Sequence, residues 1–529
     1  MPDLSRVTLC SATLGEDGGR EPPLGPLYIA AALEEVGVTV DFRDLQLVPG
    51  AHGWSGEPLA ELLADHADVV AISCFVDMLP AVVDATRRLH ADRPGTTFLL
   101  GGPGPTPAAT RLLELYPWLH GVVRGEGEET VQDWVALLRG EREGPVPGLV
   151  YRDGTTVVAG PDRPRNRHLD ALPLPAYHLL DWRRYTGARV VTTRGCSYRC
   201  SFCDVSALWD SRSVYRDVTA TVAEMELLAE LSGQDAVSIV DDTFVLDRRR
   251  VRQLCRTLVA RGSGLRWGCF GRINLMTPDL VEEMAAAGCR SVFYGIDSGS
   301  QRVLDRTVKR VRAADVLPVL ELSARYFDTV EASFIWGYPF ETLEDFDRTI
   351  ELAGAASRLA PAVNVQLHML SPLPMSPIRR DFPGDLLEPE PEDARWLLLP
   401  ALLLDERASV VRDLVRAAPD VYPGFHTFPT PDKQAKRARL AQVFAALERT
   451  LGHTVLDPRV AVLLDRDDAG VQEELLARAT DDVERIGVGL ALGFLRRTRR
   501  RRPSSTPGAA GARGPSLVRE RPETAGRPA

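Results

Sequence analysis

Along the first 140 residues the chain switches repeatedly between two hydrophobic periods. Val7-Thr8-Leu9-Cys10 is a short apolar and β-branched run that reads as a buried strand. Residues 27–36 then place their apolar positions on one helical face, and Gly37 ends them. Further strands are predicted over 38–42, 69–73, 97–100 and 122–124, with a helix over 130–138. The fourth of these strands runs into Gly101-Gly102. Strands separated by helices predict a parallel sheet covered on both faces. Such sheets bind ligands at the C-terminal ends of their strands.

Residues 141–187 are rich in Pro, Gly and Arg and read as a linker with a small hairpin at Leu149-Val150-Tyr151-Arg152-Asp153-Gly154. A second alternating region follows over 188–384. Its first strand, 189–193, ends at Arg194-Gly195-Cys196, and later strands are predicted at 236–240, 265–270, 291–295, 330–336 and 363–370. Helices fit between them, for example at 222–231 and 279–287. About six βα units are fewer than the eight of a closed barrel, so an open, partial barrel is expected. Residues 385–495 turn mainly helical, with Leu-rich stretches at 396–404 and 440–451. No period of about 20–50 residues recurs, which argues against a repeat array. The fold class is α/β.

The chain has 529 residues, 44% of them hydrophobic, enough for several buried cores and incompatible with a wholly disordered chain. No apolar run approaches the length of a transmembrane helix, and the first residues lack the pattern of a secretory signal. A cytoplasmic protein without a membrane partner is expected. Charge is unevenly spread: residues 496–529 hold ten Arg against two Glu, so the rest is more acidic than the net −10 of the whole. An acidic body argues against a broad nucleic-acid surface. The basic tail, also rich in Pro, Gly, Ser and Ala, reads as disordered. A role for it at a nucleic-acid or membrane surface stays open.

Of eight cysteines, Cys10, Cys74, Cys255, Cys269 and Cys289 are scattered in apolar surroundings and read as core residues of a reducing compartment. The other three form Cys196-Ser197-Tyr198-Arg199-Cys200-Ser201-Phe202-Cys203, with spacing C-x3-C-x2-C. Three thiolates on one loop can hold three corners of an iron–sulfur cubane, leaving one iron open. The alternative is a Cys3His zinc site, for which His178 is the nearest upstream candidate.

At these residues the sequence resembles the radical S-adenosylmethionine (SAM) enzymes, in particular the subclass with a cobalamin-binding domain. The resemblance implies that Cys196, Cys200 and Cys203 hold a [4Fe–4S] cluster, with Phe202 in the aromatic position of the signature. Its open iron would chelate SAM, whose reductive cleavage yields a radical able to attack unactivated carbon. Further segments match in order. Val240-Asp241-Asp242-Thr243-Phe244 looks like the SAM-amino segment, although strand-end Asp residues also cap turns. Gly295-Ile296-Asp297-Ser298-Gly299-Ser300 looks like a SAM carboxylate or ribose segment, with Asp297 where a Glu is usual. Ile335-Trp336-Gly337-Tyr338-Pro339 looks like the adenine-side strand, and Ser371-Pro372-Leu373-Pro374-Met375-Ser376-Pro377 like the proline turn of the sixth strand. SAM contacts are expected from Phe202, Asp241, Asp242, Arg272, Asp297, Ser298 and Ile335. Arg272 could equally pair with a nearby acid.

The first 140 residues resemble the Rossmann-like cobalamin-binding domain of that subclass. Pro23, Leu24 and Gly25 match its opening, Ser73 its nucleotide-tail position, and Gly101, Gly102 and Gly104 its glycine turn. Glu126 lies in the matching Gly-Glu-Gly-Glu segment. The cobalt-ligating D-x-H-x-x-G motif is absent, and the lone His52 and His120 read as loop or surface residues. The resemblance implies a cobalamin-dependent radical SAM C-methyltransferase using [4Fe–4S], SAM and cobalamin. It would act through methylcobalamin on a poorly nucleophilic carbon of a natural-product or peptide substrate, with a flavodoxin- or ferredoxin-type electron donor. A non-methylating rearrangement or cyclisation is the alternative, and a non-catalytic sensor using the basic tail a third. The substrate pocket is expected between the cobalamin face and the barrel mouth, capped by the helical C-terminal region. Tyr198, Trp209, Tyr215, Tyr294, Trp336 and Tyr338 are either substrate contacts or barrel core.

Overall fold

The computed structural model describes residues 3–14, 20–391 and 406–451. Two sheets organise them. The first contains β1 (Arg6–Ala12), β2 (Thr39–Asp44), β3 (Val69–Cys74), β4 (Thr97–Gly101), β5 (Leu119–Val123), β6 (Leu149–Asp153) and β7 (Thr156–Ala159), in the order β2-β1-β3-β4-β5-β6-β7. The first five strands are parallel, and residues of β1, β3, β4 and β5 feed two cores. Helix Leu24–Glu35 covers one face and helix Leu79–Asp92 the other. β6 and β7 correct the linker reading. The hairpin pairs antiparallel with β5, Val122 opposite Val150, and extends the sheet, because Leu149 and Val150 are apolar enough to join its cores.

The second sheet is six-stranded and parallel, formed by β8 (Ala188–Val190), β11 (Ala236–Ile239), β12 (Arg266–Gly271), β13 (Cys289–Asp297), β14 (Thr329–Trp336) and β15 (Val363–Met369). Its order, β15-β14-β13-β12-β11-β8, leaves both edges unpaired with one another, as in an open barrel. Helices Val218–Ser232, Arg248–Arg261, Pro278–Ala286, Val316–Tyr326 and Leu343–Ser357 pack on its outer face around one continuous core. The single strand expected over 189–193 is broken in two. β8 stops at Val190, and β9 (Thr193–Arg194) pairs instead with β10 (Val214–Tyr215) in a separate antiparallel clip. Asp241 causes the break, since its carboxylate accepts the backbone N–H of both Thr192 and Thr193 at 2.6 and 3.0 Å.

The described C-terminal elements pack against both sheets, and Phe428 joins the cluster that holds Phe202, Ile335 and Tyr338. Helix Ser409–Ala417 and the segment after it bury Val411, Val415, Tyr422 and Phe425 in the core beneath the first sheet's helices. The Tyr422 hydroxyl meets that of Tyr116 at 2.9 Å. Helix Lys433–Leu451 lies against helix Leu343–Ser357. Its Lys436 ammonium, fully buried, pairs with Glu341 at 3.1 Å, and Glu341 in turn accepts the N–H of Gly337 at 2.7 Å. The segment from Thr430 to Lys436 therefore braces the loop after β14. Residues 392–405 and 452–495, and the basic tail at 496–529, lie outside the described residues.

Candidate active site

The cysteine loop leaves the second sheet through the β9–β10 clip. Gly195 opens it with φ +92°, and a side chain there would run into the Arg212 carbonyl and the Trp209 side chain. The loop is tied down at Ser201, whose N–H reaches the Thr307 carbonyl at 2.9 Å and whose carbonyl accepts from Ile378 at 2.7 Å. The second bond draws the Ser371 to Pro377 turn onto the loop. Cys196 and Cys200 are buried and Cys203 half-buried, all three as free thiols. The Cys196 sulfur lies 3.6 Å from the Thr243 hydroxyl, and Arg272 Nη1 donates to the Cys200 sulfur at 3.8 Å. Burial pushes the Cys203 thiol up to about 12, reinforced by Cys200, Asp242 and Cys196 nearby. Three thiols on one loop, two buried and one half-buried, are stable as thiolates only against a cationic centre, so the donor set fits an iron–sulfur cluster. The zinc alternative loses its fourth ligand. His178 is exposed and pairs with Glu34 at 3.0 Å, and among the described residues no three His, Cys, Asp or Glu side chains close on one ion.

Around the loop the expected SAM residues divide. Phe202 packs edge-on to Tyr338 with ring centres 6.1 Å apart, and Ile335 belongs to the same cluster. Asp242 opens to the space in front of β11, accepts the Gly195 N–H at 3.0 Å, and is pushed by burial to a pKa of about 6. Arg272 is buried between the loop and the β12 end, stacked 3.5 Å over the Tyr198 ring. Asp297 holds φ +73°, an uncommon conformation for a residue with a side chain, and pairs with Lys309. Two expectations are corrected. Asp241 is buried with its oxygens committed to Thr192 and Thr193, including the Thr192 hydroxyl at 2.6 Å, so it straps the strands and does not line the chamber. Ser298 is buried behind the sheet, bonded to Thr349 at 3.0 Å and accepting from Ser300.

Sequence reasoning missed Lys309. Its side chain reaches Asp297, its ammonium lies 5.8 Å from the Phe202 ring centre, and its carbonyl accepts from Arg272. A signal was available, because only three of the chain's 63 Lys and Arg residues are lysine. Two of these three, Lys309 and Lys436, are buried in ion pairs. A compact ammonium fits such sites where a guanidinium fork does not. Of the six aromatic candidates, Tyr294, Trp336 and Tyr338 are fully buried core residues.

A chamber of about 1330 Å³ joins the strand ends of the first sheet to the mouth of the second. Pro23, Leu24, Gly25, Ser73, Gly101, Gly102 and Glu126 line it, together with Arg194, Trp209 and Asp242. Phe75, which sequence reasoning also missed, projects into it 56% exposed. The glycine turn makes room for a bulky ligand. At Gly102 φ is +94°, and an added Cβ would meet the Cys74 carbonyl at 2.7 Å. Gly102→Ala is expected to cost about 1–2 kcal/mol through the left-handed backbone alone. It should also lower cobalt retained per chain after reconstitution with hydroxocobalamin, read by metal analysis. Gly104 is corrected. It is buried behind the turn, where a Cβ would meet the Phe75 carbonyl at 2.6 Å, and it does not line the chamber. Glu126 is not a free contact either. It pairs with Arg194 at 2.9 Å and accepts from the Asn166 N–H at 2.8 Å, and Glu128 holds the other arm of Arg194 at 2.6 Å. His52 stacks on Trp54, and His120 accepts the Phe98 N–H, so neither faces the chamber.

Residues 190–353 match the radical SAM superfamily, and residues 11–135 match the B12 binding domain. The chain is a radical SAM enzyme with a B12-binding domain. Its cofactors are a [4Fe–4S] cluster, SAM and cobalamin. The enzyme is 27% identical over 344 residues to an uncharacterized methyltransferase of Pyrococcus horikoshii, covering 64% of this chain and 74% of that one. It is 28% identical over 354 residues to the anaerobic magnesium-protoporphyrin IX monomethyl ester cyclase of Cereibacter sphaeroides, covering 64% of this chain and 57% of the cyclase. Its fold matches that of the radical SAM methyltransferase TsrM of Kitasatospora setae, solved with cobalamin and a [4Fe–4S] cluster. The TM-score is 0.57 at 21% identity, over 72% of this chain and 77% of that one. No helix among the described residues is long and apolar enough to cross a membrane.

Proposed function

We propose that this radical SAM enzyme transfers a methyl group to a poorly nucleophilic carbon of a small-molecule or peptide substrate, drawing electrons from a flavodoxin- or ferredoxin-type donor. The observation that carries the reading is one shared chamber, because the glycine turn of the first sheet and Arg194, Trp209 and Asp242, which flank the cysteine loop, open into the same space. When bound, the cluster and SAM supply radical chemistry and the cobalamin supplies a transferable methyl group. In this reading Cys196, Cys200 and Cys203 hold the cluster, and Gly101, Gly102, Ser73 and the segment from Pro23 to Gly25 cradle the cobalamin. Asp242 accepts from the SAM amino group, while Phe202 and Ile335 flank the adenosyl side. Lys309, oriented by Asp297, offers its ammonium to the SAM carboxylate. Arg272 stabilises the loop through Cys200 and Tyr198.

Asp242 gives the reading a pH signature. Burial pushes its carboxyl to a pKa of about 6, above the ordinary aspartate range, and the ionised form is the strong acceptor for the SAM amino group. SAM binding is therefore expected to weaken below about pH 6, by about tenfold one unit lower. Calorimetric titration of SAM across pH checks this, and Asp242→Asn should flatten the profile.

The test of function is cobalt and iron per chain after anaerobic reconstitution, followed by a screen of acceptors for the mass gain of one methyl. Retained cobalt with a methylated product supports the proposal. No retained cobalt removes it. The cyclase relative supports a second reading, ring closure without methyl gain, which the same mass spectra distinguish.

A further inference from the structure

The inward face of the second sheet carries groups that cofactor binding leaves unused. Alternate residues of a strand face opposite sides. On β12 to β15 Cys269, Val292, Ala332 and Val365 face the helices as core. Their neighbours face inward, and the register sets Phe270, Phe293, Glu331 and Asn364 in one row across the four strands. The Phe270 and Phe293 rings lie 5.2 Å apart, and Phe270 is 39% exposed although its strand is central, so the interior is open at this level. Two residues beyond the Ser238–Gly268 pair, Val240 stands level with Phe270 and lines the chamber. By register the row lies beside this residue of the chamber wall.

Glu331 is the one charged residue in that row. Its two oxygens accept from Asn364 Nδ2 and Gln366 Nε2, each at 3.0 Å. His368 fixes the Gln366 amide by meeting its oxygen at 3.0 Å, which turns the N–H toward Glu331. No cation among the described residues pairs with Glu331. A carboxylate offers about four acceptor positions, so donors are still accommodated. Asn364, fully buried, adds a side-chain oxygen with no donor. The row therefore has surplus acceptors, an uncompensated negative charge and two phenyl faces. An ammonium satisfies all three, by N–H donation, by charge and by cation–π contact.

We propose that Glu331, with Phe270 and Phe293, binds an ammonium group of the substrate, which makes the substrate class amine-bearing. The proposal rests on the reading of the chamber as the substrate site. The probe is 2-phenylethylammonium, with 3-phenylpropionate as its anionic counterpart, measured by saturation-transfer NMR and calorimetry on the full chain carrying cluster and cobalamin. The ammonium is expected to bind and the carboxylate not. Glu331→Gln should weaken the ammonium at least about tenfold, Glu331→Asp less, and Phe270→Leu by about threefold. No ammonium binding by the parent enzyme, equal binding of both probes, or undiminished binding by Glu331→Gln would overturn the proposal. Amine binding that depends on Glu331 in an enzyme that methylates no acceptor would uphold the subsite and remove the methyl-transfer reading. Methyl transfer to amines with binding unchanged in Glu331→Gln would remove the subsite alone.

Discussion

Replacing Cys200 with alanine is expected to abolish iron loading and, with it, all reductive cleavage of SAM. Cys200 occupies the middle of the loop, buried, with Arg272 donating to its sulfur and Cys203 N–H bonded to its carbonyl. Alanine removes one of only three sulfur donors on the loop and leaves the Arg272 guanidinium facing a void. The readouts are iron per chain, the cluster's visible absorbance and the yield of 5′-deoxyadenosine under reduction. Cys196→Ala and Cys203→Ala should behave alike. Cys255→Ala is the control, because Cys255 lies in the apolar core of the second sheet, away from the loop. It should keep its iron while losing some stability, on the order of 1 kcal/mol for a small cavity. Iron retained in Cys200→Ala at the parent level would exclude the loop as the cluster site.

The second large effect is expected at Arg194. This residue directly precedes Gly195-Cys196 and spans the gap to the first sheet, where Glu126 and Glu128 hold its two arms. All three side chains are nearly buried, at 11%, 8% and 9% exposure. Its guanidinium also lies 5.0 Å over the Tyr28 ring. Arg194→Met would leave two carboxylates buried without their partner, at a cost of about 3–5 kcal/mol. Removing a carboxylate as well should restore part of that loss. Arg194→Met/Glu128→Gln is therefore expected to melt above Arg194→Met, a result that a purely steric role of Arg194 would not give. Lysine is a poor substitute, since one ammonium cannot bridge two carboxylates in the way a fork does. The strut links the chamber's two walls, so iron and cobalt retention should fall together in Arg194→Met. Melting curves and metal analysis of the same preparations check both.

Parts of this protein are legible in the sequence alone. The βα alternation, the six-unit open barrel and the C-x3-C-x2-C loop follow from local periods and spacings, which short-range sterics and burial enforce residue by residue. The Gly101-Gly102 turn was legible for the same reason, since a left-handed backbone selects glycine locally. Partnerships between distant segments were not legible. Asp241 and Asp242 are adjacent, yet one is consumed by the strand before the cysteine loop and the other is left open to the chamber. Glu126 read as a ligand contact and proved to be half of a strut, because its partner arrives from 68 residues away. The hairpin after β5 read as linker, since nothing in its own residues says which strand edge it will meet.

The sequence by itself therefore determined the elements, their order and the chemistry on the cysteine loop, all of which depend on neighbours along the chain. Only the tertiary structure decided which acids are spent on structure and which remain available. It also decided that Lys309 faces Asp297 and that Glu331 stands in a row with two phenyl rings. Those outcomes depend on register and packing between strands far apart in sequence, where one residue's slip moves a side chain to the opposite face.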